Sequence, residues 1–288
     1  MTRETVKRIP LIGDIATHGT RFVRRFRART KLNLVDTFPM FAPNSQGRYK
    51  SISPIVIDSV NSVLPLIGDL ADSFCRGAAP RPELITDFPR SEVEIVAAEA
   101  LKIHLDEQGS DKASWHNYHF VYGSILANSH DIRAILEVGL GTNNADVVST
   151  MGSGGIPGAS VRAFRNFLPK AIIYGADIDR RILFSEDRID TFYVDQCDWK
   201  SFKSLGESIP KGLDLVIDDG LHSPHANLAT LRFGLGHIRL GGWVVIEDIA
   251  HAHLPIWRVV ASLLPADQFE PHLVSANRCF MFAVKRVG

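Results

Sequence analysis

Two pairs of adjacent acids, Asp218-Asp219 and Glu247-Asp248, each follow an apolar run of strand length. Asp177-Ile178-Asp179 and Asp195-Gln196 follow two more such runs, and a fifth, Ala134 to Val138, leads into Gly139-Leu140-Gly141-Thr142-Asn143. Carboxylates at the carboxyl ends of parallel strands gather on one rim of the sheet, where open α/β folds bind their ligands. Helix N-caps account for one or two such acids. Adjacent acid pairs are different, because they repel unless a cation or a substrate lies among them. Asp219, Glu247 and Asp248 offer hard oxygen ligands, which favour Mg²⁺ or Mn²⁺ over zinc. His222, three residues beyond Asp219 at the entry to the next helix, is the candidate general base for removing a hydroxyl proton, with His225, His251 and His253 as competitors. Asp177 is placed to accept hydrogen bonds from both hydroxyls of a ribose, and Asp195 or Gln196 to meet an adenine edge. Gly139 and Gly141 let the backbone turn sharply and approach a ligand.

These residues need a scaffold that brings strand ends together. From Asp131 onward, apolar runs of strand length alternate with helical ones, the pattern of a parallel sheet with crossover helices. Strands are expected at Ala134–Val138, Ala171–Ala176, Thr191–Val194, Leu213–Ile217 and Trp243–Ile246, the last after a turn at Gly241-Gly242. Helices are expected over Ala159–Leu168, Pro224–Ile238 and Leu254–Leu264. Phe269–Val274 and Cys279–Lys285 read as an antiparallel hairpin closing the sheet. The expected class is α/β: a Rossmann-like, seven-stranded, mostly parallel sheet with a C-terminal antiparallel hairpin, plus a mainly helical N-terminal region. In that region Ser91 and Glu94 form a capping box for a helix to His104, and a second helix runs from His119 to Ser129. Residues 34–53 read as loop, Ser53 to Leu70 as short helices broken at Pro54 and Pro65, and Arg76 to Pro89 as a proline-punctuated connection. The domain plan is a basic arm (1–33), a helical auxiliary region (34–130) and a cofactor-binding domain (131–288).

Composition bounds the partners. The 288 residues are 45% hydrophobic and formally neutral, which argues against a general nucleic-acid binder. Residues 1–33 carry nine Lys/Arg against Glu4 and Asp14. Such a segment is either a solvated arm or a basic amphipathic contact for an anionic membrane surface or a partner. Cys75, Cys197 and Cys279 have no metal-type spacing and point to a reducing compartment, with a cytoplasmic location as the simplest expectation. No apolar run approaches the ~18 residues of a spanning helix.

Over roughly residues 108–288 the chain resembles the class I S-adenosylmethionine (SAM)-dependent methyltransferases, and more narrowly the metal-dependent sugar O-methyltransferases of macrolide biosynthesis and their relatives in bacterial glycan clusters. The resemblance rests on Glu137-x-Gly139-x-Gly141, Gly175-Ala176-Asp177-Ile178-Asp179, Val194-Asp195-Gln196, Ile217-Asp218-Asp219-Gly220-x-His222 and Val245-Ile246-Glu247-Asp248. Ser110-Asp111-Lys112, His116-Asn117-Tyr118 and Gly158-Ala159-Ser160 belong to it too. It implies that Gly139 and Gly141 cradle the methionine part of SAM, with Glu137 supporting the loop, and that Asp177 binds the ribose and Asp195 or Gln196 the adenine. Thr142, Asn143, Ile178 and Asp218 join the implied cofactor set, and Tyr118 and Lys112 line the cofactor or acceptor side. Asp219, Glu247 and Asp248 would hold Mg²⁺ (or Mn²⁺), with Asp219 and His222 as the catalytic pair. The implied acceptor is a hydroxyl of a sugar-containing small molecule or lipid-linked glycan, and the N-terminal region offers a surface for a homo-oligomer. Asn143 stands where many of these enzymes have a third glycine, and Leu221 replaces a small polar residue before the histidine. The long stretch Ala145–Pro157 reads as a lid. Competing readings are a metal enzyme related to the cephalosporin hydroxylase-like proteins, a nicotinamide-dependent oxidoreductase, disfavoured by the missing Gly-x-Gly-x-x-Gly, and a non-catalytic partner protein.

Overall fold

The structure, a computed structural model, describes residues 33–44, 48–74 and 81–288. The expected basic arm lies outside them except for Asn33, as does Cys75. Contacts divide the chain into two compact units, Met1–Leu66 and Ile67–Gly288.

In the first unit, Asn33 caps α1 (Leu34–Thr37) by accepting from the Val35 amide at 3.2 Å. Helix α2 (Tyr49–Phe74) begins inside the expected loop and continues across the division as one helix of 26 residues, not as short pieces. Pro54 and Pro65 each remove one amide donor, yet propagation gains one bond for every other residue and the helix survives them. Its stretch Lys50–Leu70, with a mean hydropathy of 1.4, is long and apolar enough to cross a membrane by length and composition. That corrects the sequence expectation. Asp58, Asn61 and Ser62 interrupt the apolar run, but a single helix averages over them.

The second unit is built on a nine-stranded sheet. Its strands are β1 (Glu83–Leu84), β2 (Ala134–Val138), β3 (Ile172–Asp177), β4 (Ser185–Glu186), β5 (Ile189–Tyr193), β6 (Leu213–Asp218), β7 (Ile238–Ile249), β8 (Phe269–Ser275) and β9 (Phe280–Arg286). They lie in the order β1-β8-β9-β7-β6-β2-β3-β5-β4. The seven longer strands are those expected, and the two-residue β1 and β4 extend the edges. β2 pairs in parallel with both β3 and β6, so the chain reverses its winding direction at β2 and opens a crevice at the strand ends there. The antiparallel β8–β9 pair joins the sheet through β9 on β7. Gly241-Gly242 is no turn. It lies within β7, in an irregularity where pairing passes from Leu213↔Ile238 to Leu215↔Trp243.

Helices α3 (Glu92–Gln108), α5 (His119–Ile125) and α6 (Ala159–Phe167) supply Leu101, Leu105, Val121 and Phe164 to a core with Ile135, Ile173, Leu215 and Val245. Helices α7 (Trp199–Ser208), α8 (Pro224–Leu235) and α9 (Leu254–Leu263) supply Phe202, Leu231 and Trp257 to a second core with Leu136, Val216, Val244 and Phe282. Alternate residues of each strand thus serve opposite faces, as the period of two requires. Ser91 caps α3 as expected, accepting from the Glu94 amide at 3.3 Å. The helix runs four residues past His104 to Gly109, where Ser110 caps α4 (Asp111–Ser114). This succession delivers Lys112 to the rim. α5 ends at Ile125, short of the expected Ser129.

Candidate active site

The parallel pairing of the neighbouring strands β2, β6 and β7 ends level: Val138 pairs with Asp218, and Asp218 with Ile246, after which β7 continues to Ile249. Gly139, Asp219 and Glu247 therefore follow side by side. Gly139 adopts φ +103°, and a Cβ on it would stand 2.0 Å from the Asp219 carbonyl oxygen. Here the glycine is required by the packing of two strand ends, before any ligand is considered.

Strand alternation separates the first acid pair. Asp218 is fully buried and accepts from Gln196 Nε2 at 2.8 Å, Asn227 Nδ2 at 3.1 Å and the Gly220 amide at 3.2 Å. Burial raises its carboxyl above the ordinary carboxylate range despite these donors. Asp219 turns the other way, toward Lys112, whose Nζ lies 2.6 Å from its Oδ2.

A different device handles the second pair. Between Ile246↔Phe282 and Ile249↔Phe280 the β7–β9 register slips by one residue, a bulge spanning Glu247 and Asp248, with Asp248 at φ +53°. Bulges re-aim side chains next to functional sites. Glu247, 1% exposed, accepts from the Tyr122 hydroxyl and from Lys112 Nζ at 2.5 Å. Asp248 reaches the rim, where Tyr118 OH donates to its Oδ1 at 2.5 Å. Burial alone would raise Asp248, but the Tyr118 hydrogen bond and the nearby His222, His116 and Lys112 bring its carboxyl below the usual range.

Lys112 is the electrostatic centre. Its side chain is 1% exposed, and Nζ meets Asp219, Glu247 and, at 3.1 Å, Glu137 Oε1. Burial depresses an ammonium, but the three carboxylates outweigh it and hold Lys112 well above its ordinary value, hence charged. Burial raises Glu137 and Glu247.

His222 Nε2 lies 3.9 Å from Asp219 Oδ1 and 3.8 Å from Asp248 Oδ2, and its Nδ1 has no hydrogen-bond partner among the described residues. His222, like Asp248, holds a left-handed backbone at φ +53°. Strain of this kind on non-glycine residues collects at functional sites. One ligand atom each from Asp219, His222 and Asp248 falls within 4.8 Å of the others.

Two cavities meet over this rim, sharing Gly139, Ser149 and Gly220. One, of about 320 Å³, is lined by Gly139, Asp177, Ile178, Asp195 and Gln196 among the expected residues. The other, of about 400 Å³, is lined by Lys112, Tyr118, Gly141, Asp219, His222, Glu247 and Asp248. The expected cofactor residues Glu137, Thr142, Asn143 and Asp218 line neither. Glu137 is held by Ser160 and Lys112, Thr142 donates to Asp179 at 2.7 Å, and Asn143 donates to the Gly152 and Gly155 carbonyls. Their side chains build the loops. Asp177, the expected ribose ligand, already accepts from the Leu140 and Asp179 amides, both at 2.8 Å. Gln196 is similarly committed to Asp218, Thr230 and the Leu221 amide.

Tyr122 and Arg181 were not singled out from sequence, and His116 was part of a quoted motif without being given a role. Tyr122 sits one turn after Tyr118 on α5, a spacing that puts both hydroxyls on one face. His116 Nδ1 is 3.5 Å from Asp248. Arg181 pairs with Asp179 at 2.7 Å and with Asp146 at 3.0 Å, tying the long loop to β3 beside the first cavity.

No protein-family model matches the chain. A Streptomyces olivaceus 8-demethyl-8-alpha-L-rhamnosyl tetracenomycin-C 2'-O-methyltransferase is 29% identical over 150 residues, 52% of this chain and 38% of that protein. A Micromonospora griseorubida mycinamicin VI 2''-O-methyltransferase is 37% identical over 99 residues, 34% of this chain and 24% of that protein. The chain thus spans well under half the length of these curated relatives. A solved structure of the MycE methyltransferase, in complex with Mg, SAH and mycinamycin VI, superposes with a TM-score of 0.53 at 21% identity, over 65% of this chain and 53% of that one. By fold, and over these segments of sequence, the chain resembles the class I SAM-dependent methyltransferases and, among them, the O-methyltransferases of antibiotic sugars.

Proposed function

We propose that the chain is a SAM- and Mg²⁺-dependent O-methyltransferase acting on a sugar hydroxyl of a glycosylated small molecule. The observation that carries this reading is the pairing of two free carboxylate oxygens, Asp219 Oδ1 and Asp248 Oδ2, with His222 Nε2 in a cavity adjoining the glycine loop. Relatives that methylate antibiotic sugars support the choice of acceptor. The residues fit both groups. The first cavity, walled by Gly139, Ile178 and Asp195, suits an adenosyl moiety, and the Asp219–Asp248 oxygen set suits a hard divalent cation.

Bound SAM supplies an activated methyl group, and bound Mg²⁺ supplies charge that makes neighbouring hydroxyls more acidic. The chain's own residues do the rest. Lys112 and Tyr118 each fix one oxygen of Asp219 and Asp248 and leave the other facing the cavity. Ile178 and Asp195 hold the adenosine side, and the loop from Asp146 to Ser149 lines the first cavity, with Ser149 bordering both. His222 Nε2 takes the proton from the acceptor hydroxyl as that oxygen attacks. Positioning carries much of the rate, since the methyl donor needs no further activation.

Calorimetry with S-adenosylhomocysteine, followed by mass spectrometry of a panel of glycosylated acceptors with SAM and Mg²⁺ or EDTA, tests the proposal. Asp219→Asn is expected to abolish methyl transfer while leaving S-adenosylhomocysteine affinity intact. Full activity in that variant, or in EDTA, removes the metal from the reading. The basic residues 1–33 and the exposed Ile55, Ile57, Leu66 and Leu70 of α2 support peripheral contact with an anionic membrane, where a lipid-linked glycan would be presented. Unchanged sedimentation with anionic liposomes after removal of residues 1–33 refutes that contact.

A further inference from the structure

A third cavity, of about 440 Å³, lies within the second unit at the opposite end of the sheet, where the parallel strands begin. Its floor is a row across three strands. Trp243 of β7 pairs with Lys285 of β9, and Lys285 with Glu270 of β8, so the three side chains stand on one face. His272, two residues beyond Glu270, shares that face, and its ring lies 5.5 Å from that of Trp243. Trp243 precedes Glu247 on β7 by four residues, about 13 Å at the rise of a strand, which sets this cavity apart from the acidic rim.

The walls are braced, whereas several groups on the cavity are uncommitted. Glu83 accepts from Arg90 Nη2 at 2.6 Å and lies 2.8 Å from His272 Nδ1, and Asp214 accepts from Arg239 Nε at 2.5 Å. Asn128 and Asp131, in the connection between α5 and β2, have no side-chain hydrogen bond among the described residues, and neither has the Trp243 indole N–H. Lys285 Nζ has no ion pair among them, and lies 5.7 Å from the Trp243 ring centre. Gly241, in the irregularity of β7, places no side chain beside the half-buried indole.

The lining sets Arg90, Arg239 and Lys285 against Glu94, Asp131 and Glu270. A charged guest would meet as many repelling as attracting groups, so the balance selects a neutral one. The cations only donate hydrogen bonds and the carboxylates only accept them, so the guest must do both, as hydroxyls do. The indole requires an apolar face as well. A pyranose ring has hydroxyls around its edge and a face of C–H bonds. We propose that this cavity is a separate ligand site that takes a pyranosyl residue, stacked on Trp243, with hydroxyls donating to Asp131 and Glu270 and accepting from Lys285 and Arg239. Its volume falls in the range of small-molecule sites.

The test needs neither SAM nor Mg²⁺. The full chain labelled with ¹⁵N-tryptophan has four indole N–H signals, and Trp243→Phe identifies one of them by its loss. The probes are methyl α-D-glucopyranoside, methyl α-L-rhamnopyranoside and maltotriose, with inorganic phosphate and tetramethylammonium as charged controls. A methyl hexoside has about a dozen non-hydrogen atoms, which at the efficiency of ordinary ligands gives a Kd of about 1 mM. At least one sugar is expected to shift the Trp243 signal saturably near that value, and equally so with S-adenosylhomocysteine bound. Asp131→Asn and Glu270→Gln, both at exposed positions, should each weaken binding about three- to tenfold, the worth of one hydrogen bond. No Trp243 shift at about 20 mM of any sugar, well above that Kd, overturns the proposal. An equal response to phosphate or tetramethylammonium overturns it too, as does a sugar affinity that neither variant changes. Shifts confined to Trp115, next to His116 of the acceptor cavity, would place the sugar there, overturning this site while leaving the proposed function standing.

Discussion

Gly139→Ala puts the fit between β2 and β6 to a quantitative test. At φ +103° a side chain is strained whatever the space, and such conformations cost about 1–3 kcal/mol. The added Cβ would also stand 2.0 Å from the Asp219 oxygen, 2.4 Å from its carbonyl carbon and 2.7 Å from Gly220 Cα, all backbone atoms that no rotamer change can move. Overpacking of this kind adds about 1–3 kcal/mol, so the total expected loss is about 2–6 kcal/mol. That is a large share of the ~5–15 kcal/mol by which a folded protein is stable. Gly152→Ala is the control, since Gly152 has φ +74° and nothing within 4 Å of the added atom. It should lose only the ~1–2 kcal/mol of backbone strain. Urea unfolding of both variants isolates the clash as the difference between them. The displaced Asp219 also strains its amide's 2.8 Å hydrogen bond to the Val138 carbonyl and moves away from Lys112, so Mn²⁺ affinity should fall in Gly139→Ala alone. Equal losses in the two variants would refute the account of Gly139 as a packing requirement.

Three further outcomes are expected. Tyr122→Phe leaves Glu247 Oε1 buried without its donor and should cost about 1–3 kcal/mol in urea unfolding; an unchanged midpoint would mean that water replaces the hydroxyl. Burial pushes the Cys279 thiol up to about 12, so at mildly alkaline pH iodoacetamide should label exposed Cys197 and spare Cys279 until the chain is unfolded, as peptide mass mapping would show. Arg181 holds the Asp179 carboxyl well below its usual range. A depressed carboxyl stabilises the fold above its unfolded value of ~3.9 and loses that contribution as pH falls through the folded value. Arg181→Ala should therefore lower the thermal midpoint more near neutrality than in acid, and an equal loss at both would show that the pair contributes nothing through charge.

The β2 glycines, the acids closing each strand and the alternation of apolar runs were legible because each is a local signal. Side-chain period, strand length and the need to place carboxylates at strand ends are written in consecutive residues. Helix boundaries were less legible. Pro54 and Pro65 mark places where a helix loses donors, but whether it stops depends on what the remaining bonds return. Gly241-Gly242 looks like a turn in sequence and is an irregularity inside β7, because pairing with β6 resumes past it at Leu215↔Trp243.

The division of labour among the acids was beyond the sequence. Asp218-Asp219 and Glu247-Asp248 look alike as dipeptides, and only a partner strand can say which member faces inward. Plain alternation sends Asp218 to Gln196 and Asn227, whereas a register slip against β9 lets both Glu247 and Asp248 serve one rim. The charge that decides what remains free comes from Lys112, 107 residues from Asp219 and 135 from Glu247 along the chain. Sequence determined the strands, the rim and the kinds of ligand atom on it. Which oxygens stay unengaged was decided by tertiary structure alone, because burying a carboxylate forces it to find a donor, and those donors arrive from elements distant in sequence.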